Sequence, residues 1–134
     1  MIPDLTDSLT SPFWLAAASH ELAICTCKKC NLDIWYPKLT CPKCGKKPIW
    51  RKLSGKAHLL SWTTSDANIN SLFLDFYLPA IVIPVDAPTV HLVTQIILDN
   101  SFQKPTCDMA LQVDFRILRL KDNEDFIAPV FVPA

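Results

Sequence analysis

Glycine is nearly missing from this chain, with two in 134 residues. Phosphate-cradling loops need several glycines so that the backbone can approach the anion, and neither a GxGxxG nor a Walker-type stretch occurs. Dinucleotide and P-loop chemistry are thereby excluded. Net charge is also missing: 13 Lys and Arg meet 13 Asp and Glu. Low net charge with half the residues hydrophobic is the reverse of a disordered composition. A long apolar run is absent too, since the longest, Leu78 to Val85, is too short to span a bilayer and holds two prolines. The opening Met1-Ile2-Pro3-Asp4 has no basic and apolar signal-peptide regions. A cytoplasmic protein without membrane attachment is the expectation. One or two small domains fit this length.

What is present is cysteine, six in all, and in a cytosolic chain that points to metal rather than disulfides. Cys27-Lys28-Lys29-Cys30 and Cys41-Pro42-Lys43-Cys44 are two CxxC pairs with ten residues between them. Each turn offers two thiolates, and four thiolates fill the tetrahedron of one Zn²⁺ with no position left for a substrate. The ion would be structural. Each knuckle has to reverse after its second cysteine, where Asn31 and Gly45 tolerate left-handed backbone. Cys25 reads as a strand neighbour of the site and Cys107 as an ordinary loop cysteine.

Zero net charge conceals two unlike halves. Lys28 to Lys56 holds nine basic residues against one acid, Asp33, whereas Ala57 to the end holds four against nine. The knuckle lysines offset the −2 charge of a Zn²⁺ with four thiolates. A sharper reading has part of this cluster meeting phosphates of a ligand or partner, with Lys46, Lys47, Arg51 and Lys52 as the candidates.

Ser11 reads as an N-cap with Pro12 at the first helical position. The following amphipathic helix, Phe13 to Leu22, sets Trp14, Ala18 and Leu22 on one face. Beyond Lys56 the pattern becomes β. Strands are predicted over 57–64, 80–86 and 90–99, the last two paired through the Ala87-Pro88-Thr89 turn. Leu111, Val113, Phe115 and Ile117 alternate with polar residues as in a half-buried strand. Phe126 to Val132 is the fifth strand, and Pro129 suggests an edge. The expected fold is mainly β: a short N-terminal helix, a four-cysteine zinc ribbon and a five-stranded OB-fold barrel. The divisions are residues 1–22, 23–53 and 54–134. Ser65 to Pro79 reads as a long apolar connection.

No nucleophile, base and orienter share a recognisable spacing, and His20, His58 and His91 belong to no cluster. The chain is expected not to be an enzyme by itself. Nucleic-acid binding, the alternative for a ribbon joined to an OB barrel, needs a basic barrel with stacking aromatics. This barrel half is acidic. Apolar surface beyond what a short chain hides marks partner sites, with Phe13 and Trp14 on the helix and Leu72, Phe73, Phe76 and Tyr77 in the long connection as candidates.

The order of the pieces is specific: Pro12-Phe13-Trp14, the Cys27/Cys30 and Cys41-Pro42-x-Cys44-Gly45 knuckles, Ser54-Gly55-Lys56 leading to Ser61-Trp62-Thr63, and a terminal Ala128-Pro129-Val130-Phe131-Val132-Pro133. From Ser11 to Ala134 this resembles the acyl-CoA-associated family with a rubredoxin-like zinc ribbon and an OB-fold, domain of unknown function 35. The resemblance implies a non-catalytic accessory subunit in a hetero-oligomer with a thiolase-superfamily acyltransferase or acyl-CoA lyase. Such a subunit would hold the catalytic chains together and help shape a passage for CoA or acyl groups. The family usually has a Gly before its last long strand, where this chain has Asp108-Met109-Ala110, so the turn there is expected to differ.

Overall fold

The computed structural model describes residues 4–64, 77–98, 104–119 and 125–134. Its elements are a helix α1 (Ser11–Ala18) and eight strands: β1 (Ala23–Cys27), β2 (Leu32–Ile34), β3 (Ile49–Lys52), β4 (Lys56–Trp62), β5 (Tyr77–Pro84), β6 (Leu92–Ile97), β7 (Ala110–Arg119) and β8 (Asp125–Pro133). The first three strands form a sheet in the order β2-β1-β3, and the other five close into a barrel in the order β4-β5-β6-β8-β7. All the barrel pairings are antiparallel except β6 with β8. After β4, β5 and β6 pair in sequence, the chain crosses to β7, the antiparallel neighbour of β4. β8 then returns beside β7 to close the barrel parallel to β6, the Greek-key barrel expected from the sequence.

The helix differs from its expectation at both ends. Thr10, not Ser11, holds the N-cap position, without a side-chain capping bond, and Pro12 lies in the first turn. The helix stops at Ala18, so His20 and Leu22 lie beyond it. Glu21 N–H donates to Ala16 O and His20 N–H to Ala17 O, each at 2.9 Å. With His20 at φ 57° this is a Schellman ending built without glycine. The inward face is correspondingly Phe13 and Ala17, with Ala18 exposed, rather than the predicted Trp14-Ala18-Leu22 stripe.

Leu22, Ile24 and Leu53 join Leu59, Val82, Ile96, Leu111 and Phe131 in one buried cluster, so ribbon and barrel share a core. Cross-strand pairs explain the alternation: Leu59 opposite Val82 is buried, while Ile81 opposite Val93 faces outward. Three strand expectations are corrected. β5 starts at Tyr77, taking the end of the supposed connection into the barrel. Val90 belongs to the turn before β6, where its N–H donates to Ala87 O. β8 is not an edge: it lies between β6 and β7. Pro129 is tolerated because the described ladder to β6 consists of the Ile96 to Phe131 pairing, outside which Pro129 falls.

The scarcity of glycine is met in an unexpected way. Gly45 (φ 73°) and Gly55 (φ 85°) are joined in the left-handed region by His20, Asn31 (φ 49°) and Asp108 (φ 59°). Asn and Asp are the side chains that visit this region at least cost. Asp108 therefore holds the left-handed position ahead of β7 without a glycine. Among the described residues no helix is long and apolar enough to cross a membrane.

Candidate metal centre

Strand β1 delivers Cys27 at its end, the first knuckle turn delivers Cys30, and the loop between β2 and β3 delivers Cys41 and Cys44. Their four sulfurs all lie within 4.8 Å of one another, and Cys27 Sγ is 3.6 Å from Cys44 Sγ. Tetrahedral Zn²⁺ with Zn–S bonds of about 2.3 Å separates its sulfurs by about 3.8 Å. The donor set and its spacing fit that ion. The knuckles are built as their sequences require. In the second, Gly45 N–H donates to Cys41 O (2.9 Å), Cys41 N–H to Lys46 O (2.8 Å), and Lys43 N–H points at Cys41 Sγ from 3.4 Å. Asn31 and Gly45 provide the left-handed reversals.

These bonds separate the thiols electrostatically. The backbone N–H groups of Cys44 and Lys43 draw Cys41 down to about 7 against the cost of its desolvation. Burial, followed by the neighbouring thiols of Cys44, Cys27 and Cys41, pushes Cys30 up to about 12. Crowded thiols resist common deprotonation until a cation is among them. Cys25 stands apart from the four: it pairs with Ile34 and Trp50 in the sheet and is buried, which raises its thiol. Cys107 is exposed in the turn before β7.

The basic residues split into two groups. Arg51 is committed: Nε and Nη2 donate to Asp33 Oδ1 and Oδ2 at 2.9 and 2.8 Å, and Nη2 also donates to Asp86 O at 2.7 Å. This clamps β3 to β2 and to the β5–β6 turn. Asp86 reaches back, accepting from Ser54 N–H and Ser54 Oγ. Lys52 is paired with Glu21 at 3.0 Å. Lys46 and Lys47, by contrast, line an open depression of about 370 Å³ together with Lys28, Lys29, Cys27 and Ile49. The sequence marks all four lysines as one basic cluster, but only the folded knuckles bring Lys28 and Lys29 beside Lys46 and Lys47.

Phe13 and Trp14 are half-buried against the chain itself. Phe13 packs on Trp35 (5.3 Å between ring centroids) and on Trp14 (5.0 Å), and Trp14 meets Phe126 of β8 edge-on at 6.0 Å. An aromatic string thus ties barrel to helix to ribbon. Trp35 is its member in the ribbon, and no spacing in the sequence singled it out. The exposed apolar residues beside it are Leu15 (65%) and Tyr36 (61%). Leu72, Phe73 and Phe76, and the side chain of Tyr77, lie outside the described residues. The histidines are scattered: His20 stacks on Phe115 at 5.2 Å, His58 is exposed on β4, and His91 is exposed just before β6.

The four-cysteine cluster and the five-stranded barrel place the chain in the zinc-ribbon plus OB-like fold class. The sequence matches no protein-family model and no curated protein. Among solved structures, the Ltp2-ChsH2(DUF35) aldolase is similar over 98% of this chain and 98% of its own, with a TM-score of 0.80 and 21% identity. A DUF35-family protein of unknown function from Sulfolobus solfataricus is similar over 82% of this chain and 80% of its own, with a TM-score of 0.59 and 12% identity. The structural neighbours are DUF35 proteins.

Proposed function

We propose that this chain is a non-catalytic accessory subunit of a thiolase-like acyltransferase or acyl-CoA carbon–carbon lyase. In this reading residues 23–53 are a ribbon closed by one structural Zn²⁺ on Cys27, Cys30, Cys41 and Cys44, and residues 54–134 are the barrel. The observation that carries it is the fold match along 98% of both chains with the Ltp2-ChsH2(DUF35) aldolase. The helix face bearing Leu15, together with Tyr36, is the surface offered to the catalytic partner. The rings of Phe13 and Trp14 support that surface from beneath, since aromatic groups backed by a rigid scaffold make the strongest contacts. Four thiolates around Zn²⁺ leave no open coordination position, so the ion holds the ribbon in shape and supplies no Lewis acid. The site of action is cytoplasmic, and CoA or acyl-CoA meets the chain at the partner boundary.

Affinity-tagged chain, expressed in its native host, should copurify with a thiolase-superfamily enzyme at fixed stoichiometry. Reconstitution should restore that enzyme's activity or solubility, and the purified chain alone should turn over no acyl-CoA. Turnover by the lone chain at a rate comparable to the complex would refute the proposal. So would a partner whose activity and solubility ignore the chain.

A further inference from the structure

The depression beside the cysteine cluster leads to one of its sulfurs. Cys27 is buried at 3% exposure, yet it is the one cysteine in the lining, among Lys28, Lys29, Lys46, Lys47 and Ile49. We infer that Cys27 and Cys44 form an oxidation site for hydrogen peroxide, at which a disulfide between the two knuckles replaces their bonds to the metal. The inference rests on the zinc reading above and not on the partner enzyme. Cys44 lies on the opposite knuckle, half-buried, with its Sγ 3.6 Å from Cys27 Sγ. Closing to a disulfide bond of about 2.05 Å takes a shift of about 1.5 Å. The chain after Cys44 has room to follow, because nothing lies within 4 Å of where a Cβ on Gly45 would stand. Cys41 is tied down instead, its N–H donating to Lys46 O and its carbonyl accepting from Gly45 N–H.

The chemistry balances within the site. The Cys27 thiolate attacks one peroxide oxygen, the O–O bond breaks, hydroxide leaves, and Cys27 becomes a sulfenic acid. The Cys44 thiolate then attacks the Cys27 sulfur. The S–S bond forms and the S–O bond breaks, releasing a second hydroxide. Two sulfurs have lost two electrons, and the peroxide has gained them. Negative charge develops on the departing oxygen in both steps, inside a recess lined by four lysines and no carboxylate. None of these lysines has an ion-pair partner among the described residues, so their positive charge is directed at that oxygen. Only Cys30 and Cys41 then remain of the four thiolates a structural zinc needs, so the metal is released.

Treating the full zinc-loaded chain with a small molar excess of hydrogen peroxide tests the site. Zinc is followed with a metallochromic chelator, and disulfides are mapped by proteolysis and mass spectrometry. One zinc should be released per disulfide formed, the disulfide should join Cys27 to Cys44, and Cys107 should remain reduced although it is exposed. Dithiothreitol with added zinc should restore the starting metal content. The double variants Lys46→Gln/Lys47→Gln and Lys28→Gln/Lys29→Gln should keep their zinc and release it roughly threefold or more slowly. Cys107→Ser should release it at the wild-type rate. Oxidation of Cys107 ahead of the cluster overturns the inference, as does a disulfide within either CxxC pair. A wild-type release rate in both lysine doubles also overturns it. A chain that holds zinc but resists peroxide refutes this inference alone, whereas a chain that purifies without zinc refutes the metal reading and this inference with it.

Discussion

Gly55 → Ala is the substitution whose cost follows most directly from the geometry. Gly55 opens β4 at φ 85°, a backbone conformation that strains any L side chain by about 1–2 kcal/mol. Space is the second problem. A Cβ at this position would stand 2.3 Å from Val113 Cγ1 and 2.7 Å from Gln112 Nε2. The amide of Gln112 can swing away, but Val113 is branched at its own Cβ, and its N–H is tied to Gly55 O at 2.8 Å. The two strands must therefore separate, at a cost typical of overpacking, about 1–3 kcal/mol. Together these give about 2–5 kcal/mol, an appreciable part of a small domain's stability. Gly45→Ala is the internal control. It has a similar φ of 73° but nothing within 4 Å of the new Cβ, so strain alone remains, about 1–2 kcal/mol. Thermal and urea unfolding should be compared at a fixed excess of zinc, because bound metal shifts the apparent midpoint. Gly55→Ala should lower the midpoint markedly more than Gly45→Ala. Equal midpoints would refute the claim that close approach to Val113, rather than φ alone, selects glycine here.

Cys27→Ser or Cys41→Ser should release the zinc and unfold the ribbon, since binding worth roughly 10–16 kcal/mol holds such small metal folds; a full equivalent retained in a metal assay would refute the four-ligand assignment. The Arg51 guanidinium holds the Asp33 carboxyl below its ordinary range, so this pair stabilises the fold above the unfolded carboxylate value near 4 and the contribution is lost as pH falls through the lower folded value. Asp33→Asn should accordingly lower stability at pH 7 and flatten the acid limb of the stability profile; an unchanged acid limb would show that other carboxylates control it. Asp108→Gly should change stability by less than about 1 kcal/mol and Asp108→Ala should cost about 1 kcal/mol, because the position demands positive φ; a large loss in the glycine variant would assign Asp108 a side-chain role.

The aromatic string joins ribbon and barrel through the helix. Phe13 and Trp14 link Trp35 of the ribbon to Phe126 of the barrel, and the Arg51 and Ser54 bonds to the Asp86 turn brace the same junction from another direction. A subunit acting as proposed above would gain from such bracing, since side chains already fixed lose less entropy on docking.

The four-cysteine cluster and the barrel strands were legible in the residues themselves, for local reasons. A CxxC turn encodes its own geometry through backbone N–H groups and one left-handed residue, and Asn31 and Gly45 stand where it needs them. Alternation of apolar and polar residue types likewise marks β7 as a strand without knowledge of its neighbours, although Ile117, expected on the half-buried face, is exposed. The helix end was obscured because His20 performs a glycine's task, and Pro129 suggested an edge because a sequence does not show how far a ladder extends. Which lysines share a recess, and which cation is already taken by a carboxylate, depend on how distant segments come together: Lys28 and Lys46 line one depression beside the cysteine cluster, and Arg51 meets Asp33 and Asp86 across two sheets. Residue type and spacing determine local conformation and ligand chemistry. Only tertiary packing decides which charges remain free, because electrostatic partners are chosen by distance in space.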